Sequence, residues 1–230
     1  RCVPNARVLR NALTYVSAFE AAVIAEHCED ASLAEGGQMH EGSVSSSLGL
    51  AGQPREAEEV VVARDLAVAK LTAGRLHLCH LSSAGSVEMV RRAKAEGLRV
   101  TAEVTPHHLV FGEEDLVTYD TNMKMNPPLR SDGDRSALRA ALADGTIDVV
   151  ATDHAPHAVE EKEAEFDQAP FGTIGLETAL AALLTHLVEP GELSLSRAIE
   201  AMSTTPARIL GAHDHGGPIA PGRPANLVAF

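Results

Sequence analysis

Apolar residues along this chain follow two rhythms, one with helical spacing and one of short continuous runs. Residues 5 to 19 set Leu9, Leu13 and Val16 on a single helical face, the spacing of an amphipathic helix. After a short turn, a strand is predicted from Val23 to His27. Segment 36–54 is polar and rich in Gly and Ser, the texture of a loop. The helix predicted over 56–71 opens on Glu56, Glu58 and Glu59 and carries Lys70 near its end, an order that suits the helix dipole. Strand 75–80 comes next. Helix 87–96 is started by Gly85 or Ser86 and stopped by Gly97, and strand 99–105 is broken by Pro106. A long polar connection reaches Asn126-Pro127-Pro128-Leu129-Arg130, ahead of helix 136–143, a turn at Gly145 and strand 147–151. Helices 175–187 and 194–202 close the pattern.

The strands are β-branched-rich and do not alternate cleanly, as expected where helices cover a parallel sheet. Four strand–helix units predict an α/β fold. A (β/α)₈ barrel has about 250 residues and eight strands, so the predicted strands supply half of one. The alternative is a small open α/β sheet. Against it, the chain opens on a helix and lacks the glycine-rich first loop of G-x-G-x-x-G or G-x-x-x-x-G-K-S/T type. Residues 218 to 230 differ in texture, with glycines and prolines framing Ala225-Asn226-Leu227-Val228-Ala229-Phe230. That run predicts a fifth strand outside the barrel rhythm. The expected division is therefore a partial barrel over 1–215 and a segment over 216–230 passing to another sheet.

Composition narrows the function. A formal charge of -13 disfavours nucleic acid, which demands a basic surface, and favours a small-molecule substrate. Aromatic residues make up 3% of the chain and tryptophan is absent, against a base-stacking platform. Three cysteines, with Cys28 and Cys79 each near a histidine in an apolar run, do not suggest a disulfide framework; burial as small hydrophobes is expected for both. No apolar run approaches the roughly 20 residues of a membrane span, and Arg1-Cys2-Val3-Pro4 does not resemble a secretory leader. A soluble, cytoplasmic protein is expected.

Chemistry gathers at strand ends. Asp148 to His157 delivers Asp153, His154 and His157 after an apolar run, while His27 and His80 end two earlier runs. Carboxyl ends of barrel strands are where such folds carry catalysis. Neutral imidazoles and a carboxylate are the donor set of a hydrolytic zinc site, so His27, His80 and Asp153 are the candidate ligands. Capping of strand ends is the competing role for such residues. His77 is expected to pack, and His107 and His108 to orient a loop. His154 and His157 flank Ala155-Pro156, with one imidazole placed to meet an anionic substrate. Phe171-Gly172-Thr173-Ile174-Gly175 offers backbone that can approach a ligand closely. His40, His186, His213 and His215 have no comparable context. No G-x-S-x-G elbow is present. Metal-activated water is therefore expected as nucleophile, with Asp153 as base.

These segments together resemble the amidohydrolase superfamily, and within it the bacterial-type class I dihydroorotases. The likeness is carried by AEHCED at 25–30, HLCHLSSAGSVE at 77–88, VTAEVTPHHL at 100–109, NPPLR at 126–130, DVVATDHAPH at 148–157 and PFGTIGLET at 170–178. The resemblance implies a TIM-type metal-dependent hydrolase barrel holding two Zn²⁺ ions. His27 and His80 would ligate the second metal, and Asp153 would be both first-metal ligand and catalytic base. Asn126 and His157 would contact the substrate, with the backbone at Phe171 and Gly172 closing on the pyrimidine ring. The implied reaction is reversible hydrolysis of (S)-dihydroorotate to N-carbamoyl-L-aspartate in pyrimidine biosynthesis. A homodimer or an association with aspartate transcarbamoylase is the implied assembly. The family's H-x-H and metal-bridging group have no counterpart here. The chain is therefore expected to be the C-terminal portion of such an enzyme, half a barrel beginning a return to a small β-sandwich, and inactive alone. The alternatives are a dihydropyrimidinase-like or allantoinase-like hydrolase and a non-catalytic dihydroorotase-like scaffold.

Overall fold

The structure, a computed structural model, describes residues 3–230. Arg1 and Cys2, which open the segment read above as unlike a leader, lie outside the described residues. In chain order the elements are α1 (Ala6–Val16), β1 (Ile24–Glu26), α2 (Ala31–Ala34), β2 (Met39–His40), α3 (Ser43–Leu48), β3 (Gly52–Gln53), α4 (Glu56–Thr72), β4 (Leu76–Leu78), α5 (Ala84–Ala95), β5 (Val100–Val104) and α6 (Pro106–Val110). Two 3₁₀ turns, Glu113–Thr118 and Thr121–Met123, lead to α7 (Asp132–Asp144), β6 (Val149–Val150) and α8 (Val159–Lys162). Helical segments over Ala179–Val188 and Leu195–Leu210 follow, the first ending in a π-helical turn and the second interrupted by one.

Among the described residues there are six strands, all paired in parallel. Four make a sheet in the order β1-β4-β5-β6, and β2 with β3 forms a separate pair. In the larger sheet Ile24 sits opposite Leu76, Leu76 opposite Val100, and Val104 opposite Val150. This register aligns the carboxyl ends of the strands along one edge. Such an edge is where open α/β sheets bind ligands.

The expected half-barrel with a β-sandwich remnant is thus corrected to an α/β domain whose six parallel strands run through the described residues. Two features account for the difference. The Gly/Ser-rich loop contains a strand pair, because Met39 and His40 find a backbone partner at Gly52 and Gln53. The strand expected at 225–230 does not form: residues 216–230 contain no strand, and Leu227, Val228 and Phe230 are exposed. Strand propensity is expressed through pairing and packing on a neighbour, and no described strand runs beside this segment.

Local chemistry sets the helix starts. The side chains of Asn5, Ser83 and Ser131 accept hydrogen bonds from Arg7, Ser86 and Asp134 backbone N–H groups at the first turns of α1, α5 and α7, satisfying donors that a helix leaves orphaned. Helices α5 and α7 consequently begin earlier than their apolar spacing indicated. One core joins α1 and α4 to the sheet through Leu13, Val62, Leu76 and Leu78. A second joins α5, α7 and the C-terminal helices around Val104, Leu142, Ile147 and Leu183. A third, smaller cluster of Met39, Leu116, Met125, Leu129 and Phe166 lies under the segment carrying Asn126. No helix among the described residues is long and apolar enough to cross a membrane.

Candidate active site

Strands β1, β4 and β6 end just before His27, His80 and Asp153. The ladder continues past them through Cys79 N–H to the Glu26 carbonyl and Ala151 N–H to the Val104 carbonyl, both at 3.0 Å. At their ends the chain turns sharply. His80 and Asp153 take φ values of 34° and 46°, in the left-handed region that costs a non-glycine residue energy and persists where surrounding structure enforces it. His27, His80, Asp153, Asn126, Phe171 and Gly172 all line one cleft of about 1010 Å³. That cleft unites all but one of the expected site residues.

His27 Nδ1 and His80 Nε2 face each other at 2.9 Å, with their rings edge to face. Two imidazole nitrogens this close either share a proton or hold a cation between them. Tetrahedral coordination with Zn–N bonds of about 2.0–2.1 Å separates ligand nitrogens by about 3.3 Å, so the observed pair fits a zinc ion with small adjustment. Burial, and then the neighbouring His27, push His80 below the usual histidine range. That keeps the neutral form, which a metal requires. His80 Nδ1 is itself buried without a hydrogen-bond partner.

Sequence reasoning missed Glu29. Its Oε2 lies 3.7 Å from His27 Nε2 and accepts from Asn126 Nδ2 at 2.5 Å and from Gln53 Nε2 at 3.3 Å. His27, together with the Asn126 and Gln53 amides, holds this carboxyl down to about 2 against the opposing effect of burial. A fixed negative charge therefore stands behind His27 and beside Asn126. The signal was present in AEHCED, since a residue two positions beyond His27 projects to the same side of extended chain. Gln53 lay in a segment read as loop and gave no signal.

A second cluster was also not anticipated. One donor atom each from His77, Cys79 and Glu103 lie within 4.8 Å of one another, a spacing consistent with a single metal site. Both nitrogens of His77 have partners, Thr101 Oγ1 at 2.8 Å and Glu103 Oε2 at 2.9 Å, so the imidazole packs as expected. Burial and the nearby Glu103 push the Cys79 thiol up to about 12, leaving it protonated until something replaces the proton.

His157 is not among the residues that line the cleft. Its Nε2 bonds the Phe171 carbonyl at 2.9 Å and its Nδ1 lies 3.5 Å from Glu161. In this arrangement it supports the cleft wall. Gly172 has φ 141°, and a Cβ there would come within 2.7 Å of the Ala155 carbonyl and 2.9 Å of His157 Nε2. Glycine is required by this close approach. His154 Nδ1 accepts from Gly175 and Leu176 N–H at 3.2 and 3.3 Å, tying the same loop to the end of β6. His108 Nε2 bonds the Pro127 carbonyl at 3.0 Å, so it orients the loop beside Asn126 as expected. His107 Nε2 is buried without a partner. His40, which had no sequence context, is buried against Arg130, whose guanidinium reaches His40 Nδ1, Ser82 Oγ and the Gln53 carbonyl. Burial, reinforced by Arg130 and Arg55, pulls His40 down to about 4.

The family model described as "Amidohydrolase family" matches residues 7–230. A dihydroorotase of Pelotomaculum thermopropionicum is 53% identical over 226 residues, covering 98% of this chain and 52% of that protein. A dihydroorotase of Leifsonia xyli is 50% identical over 230 residues, covering 100% of this chain and 52% of that protein. Among solved structures, an L-hydantoinase (dihydropyrimidinase) from Arthrobacter aurescens matches with a TM-score of 0.85 at 30% identity, covering 98% of this chain and 52% of the other. The expected likeness to a C-terminal portion is corrected accordingly: the matches span 98–100% of this chain, and the chain spans about half the length of these relatives. By sequence it is dihydroorotase-like, and it belongs to the amidohydrolase family.

Proposed function

We propose that this protein is a zinc-dependent dihydroorotase, hydrolysing the ring amide of (S)-dihydroorotate to N-carbamoyl-L-aspartate and catalysing the reverse cyclisation. The observation that carries this reading is the meeting of His27, His80, Asp153 and Asn126 with the Phe171–Gly172 backbone in one cleft, in a chain about half identical to dihydroorotases. Two zinc ions would be held, with His27 and His80 contributing ligands to one and Asp153 to the other, each ion requiring further ligands beyond these three side chains. Bound zinc would polarise the ring carbonyl and lower the pKa of a water nucleophile toward neutrality. Asp153 takes the proton of the attacking water on its carboxylate and returns it to the leaving ring nitrogen. Asn126 receives the substrate carboxylate together with His157, whose Nε2 would exchange the Phe171 carbonyl for the ligand, and the Phe171–Gly172 backbone closes on the ring. With Glu29 occupying one N–H of Asn126, the second N–H is available to the ligand.

Joined to a segment that supplies the further metal ligands, the chain is expected to open dihydroorotate with zinc bound and to lose that activity on chelation; the 230-residue chain alone is expected to be inactive. Turnover of a hydantoin with none of dihydroorotate would replace this reading with a hydantoinase-type one, which the Arthrobacter structural match favours. The His157→Ala variant sharpens the distinction. Its KM should rise by on the order of tenfold or more for dihydroorotate, through loss of a hydrogen bond to a charged group. KM for uncharged dihydrouracil should change little. Equal losses for both substrates would remove the carboxylate from the role of His157.

A further inference from the structure

Lys124 is a lysine with almost no water around it: it is 2% exposed and ranks among the largest fully buried side chains. Its Nζ donates to the Phe166 carbonyl at 2.6 Å and the Asp167 carbonyl at 3.3 Å, and stands 4.8 Å from the Phe171 ring centroid and 5.5 Å from that of Phe166. Lys162 repeats the pattern nearby, its Nζ reaching the Pro170 carbonyl at 2.8 Å, the Thr121 carbonyl at 2.9 Å and the Lys124 carbonyl at 3.4 Å. The hydrogen bonds of both ammonium groups thus end on backbone carbonyls. Two further bonds close the arrangement, from Gly172 N–H to the Lys124 carbonyl at 2.9 Å and from Thr121 Oγ1 to the Lys162 carbonyl.

Burying an ammonium is costly unless its donors are satisfied and its charge is met. Here carbonyl dipoles do this for both lysines, and the Phe171 and Phe166 rings add cation–π contacts to Lys124 alone. Burial pulls both lysines below the usual ammonium range, and for Lys162 the neighbouring Lys124 adds to the effect. Segment 163–175 has little secondary structure of its own, so its placement depends on such ties. The segment held is the one that brings Phe171 and Gly172 to the cleft, and Lys124 lies two residues before Asn126.

We infer that Lys124 and Lys162 are positioning residues, a double clasp that fixes the Phe171–Gly172 wall of the cleft at a set distance from Asn126. The clasp itself is independent of the reaction; its consequence for substrate rests on the dihydroorotase reading. Replacing Lys124 by Met keeps chain length and removes the donors, which leaves the Phe166 and Asp167 carbonyls without this partner. The wall should loosen while the sheet stays intact.

Hydrogen exchange of the 230-residue chain, followed amide by amide, tests this. In Lys124→Met the Gly172 amide should exchange about tenfold faster or more, the scale of losing hydrogen bonds from a charged donor. Amides of β5 should keep their wild-type rates, and Lys70→Met, which alters an exposed lysine paired with Glu96, should change neither. An unchanged Gly172 amide, or one that accelerates only in step with β5, would overturn the clasp. Should Lys124→Met fail to fold, Lys162→Met carries the same criteria through the Pro170 and Thr121 carbonyls. In turnover by the joined protein, KM for dihydroorotate should rise about tenfold with kcat within about threefold; a fall in kcat alone would overturn the wall's role in holding substrate. Joined wild-type protein that does not turn over dihydroorotate would sink the functional reading, and the exchange result would still decide the clasp.

Discussion

Asp153→Asn is expected to lower kcat for ring opening by on the order of 10²–10⁴, the usual range for removing a general base, with little change in KM. Asparagine keeps the shape of the side chain and tolerates the left-handed backbone at this position, but it has no carboxylate to take the proton. Because Asp153 is also assigned as a ligand, bound zinc must be measured on the same preparation. Full zinc content with the rate lost identifies the base. A rate that returns when excess zinc is added would reduce Asp153 to a ligand.

His80→Ala should weaken zinc binding by at least about 100-fold, since even groups that merely support a ligand commonly account for 10–100-fold in metal affinity. Competition against a chromophoric chelator measures this directly, without any assay of turnover. The result also separates the two donor clusters at the end of β4. If zinc is held at wild-type affinity in His80→Ala but released in Glu103→Gln, the metal belongs to His77, Cys79 and Glu103, and the His27–His80 contact is a shared proton.

What the sequence disclosed depended on whether a feature is local. The strand ends bearing His27, His80 and Asp153 were legible because an apolar run followed by a polar ligand type is a pattern within a few residues. Helix starts were placed less well. The spacing of apolar residues marks the buried face of α7, whereas its true beginning is fixed by Ser131 accepting from the Asp134 N–H. Pairing was least legible. Met39–His40 and Gly52–Gln53 are too short to announce strands and exist because each supplies the other's ladder. The apolar run 225–230 has the stronger strand pattern and forms none. The role of Glu29 likewise comes from residues distant in sequence, Gln53 and Asn126, that only folding brings to its carboxylate.

The left-handed turns at His80 and Asp153 also limit how this site can diversify. A β-branched residue at either position would meet backbone strain even in a protein that had abandoned catalysis, because the clash arises between the side chain and its own main chain. Asparagine and histidine enter this region more readily than most residues, while valine and isoleucine are poorly suited to it. Descendants drifting away from hydrolysis would therefore keep a narrow choice of side chains at the two strand ends. Retention of histidine or aspartate there, taken alone, would testify to the geometry of the turn as much as to the survival of chemistry.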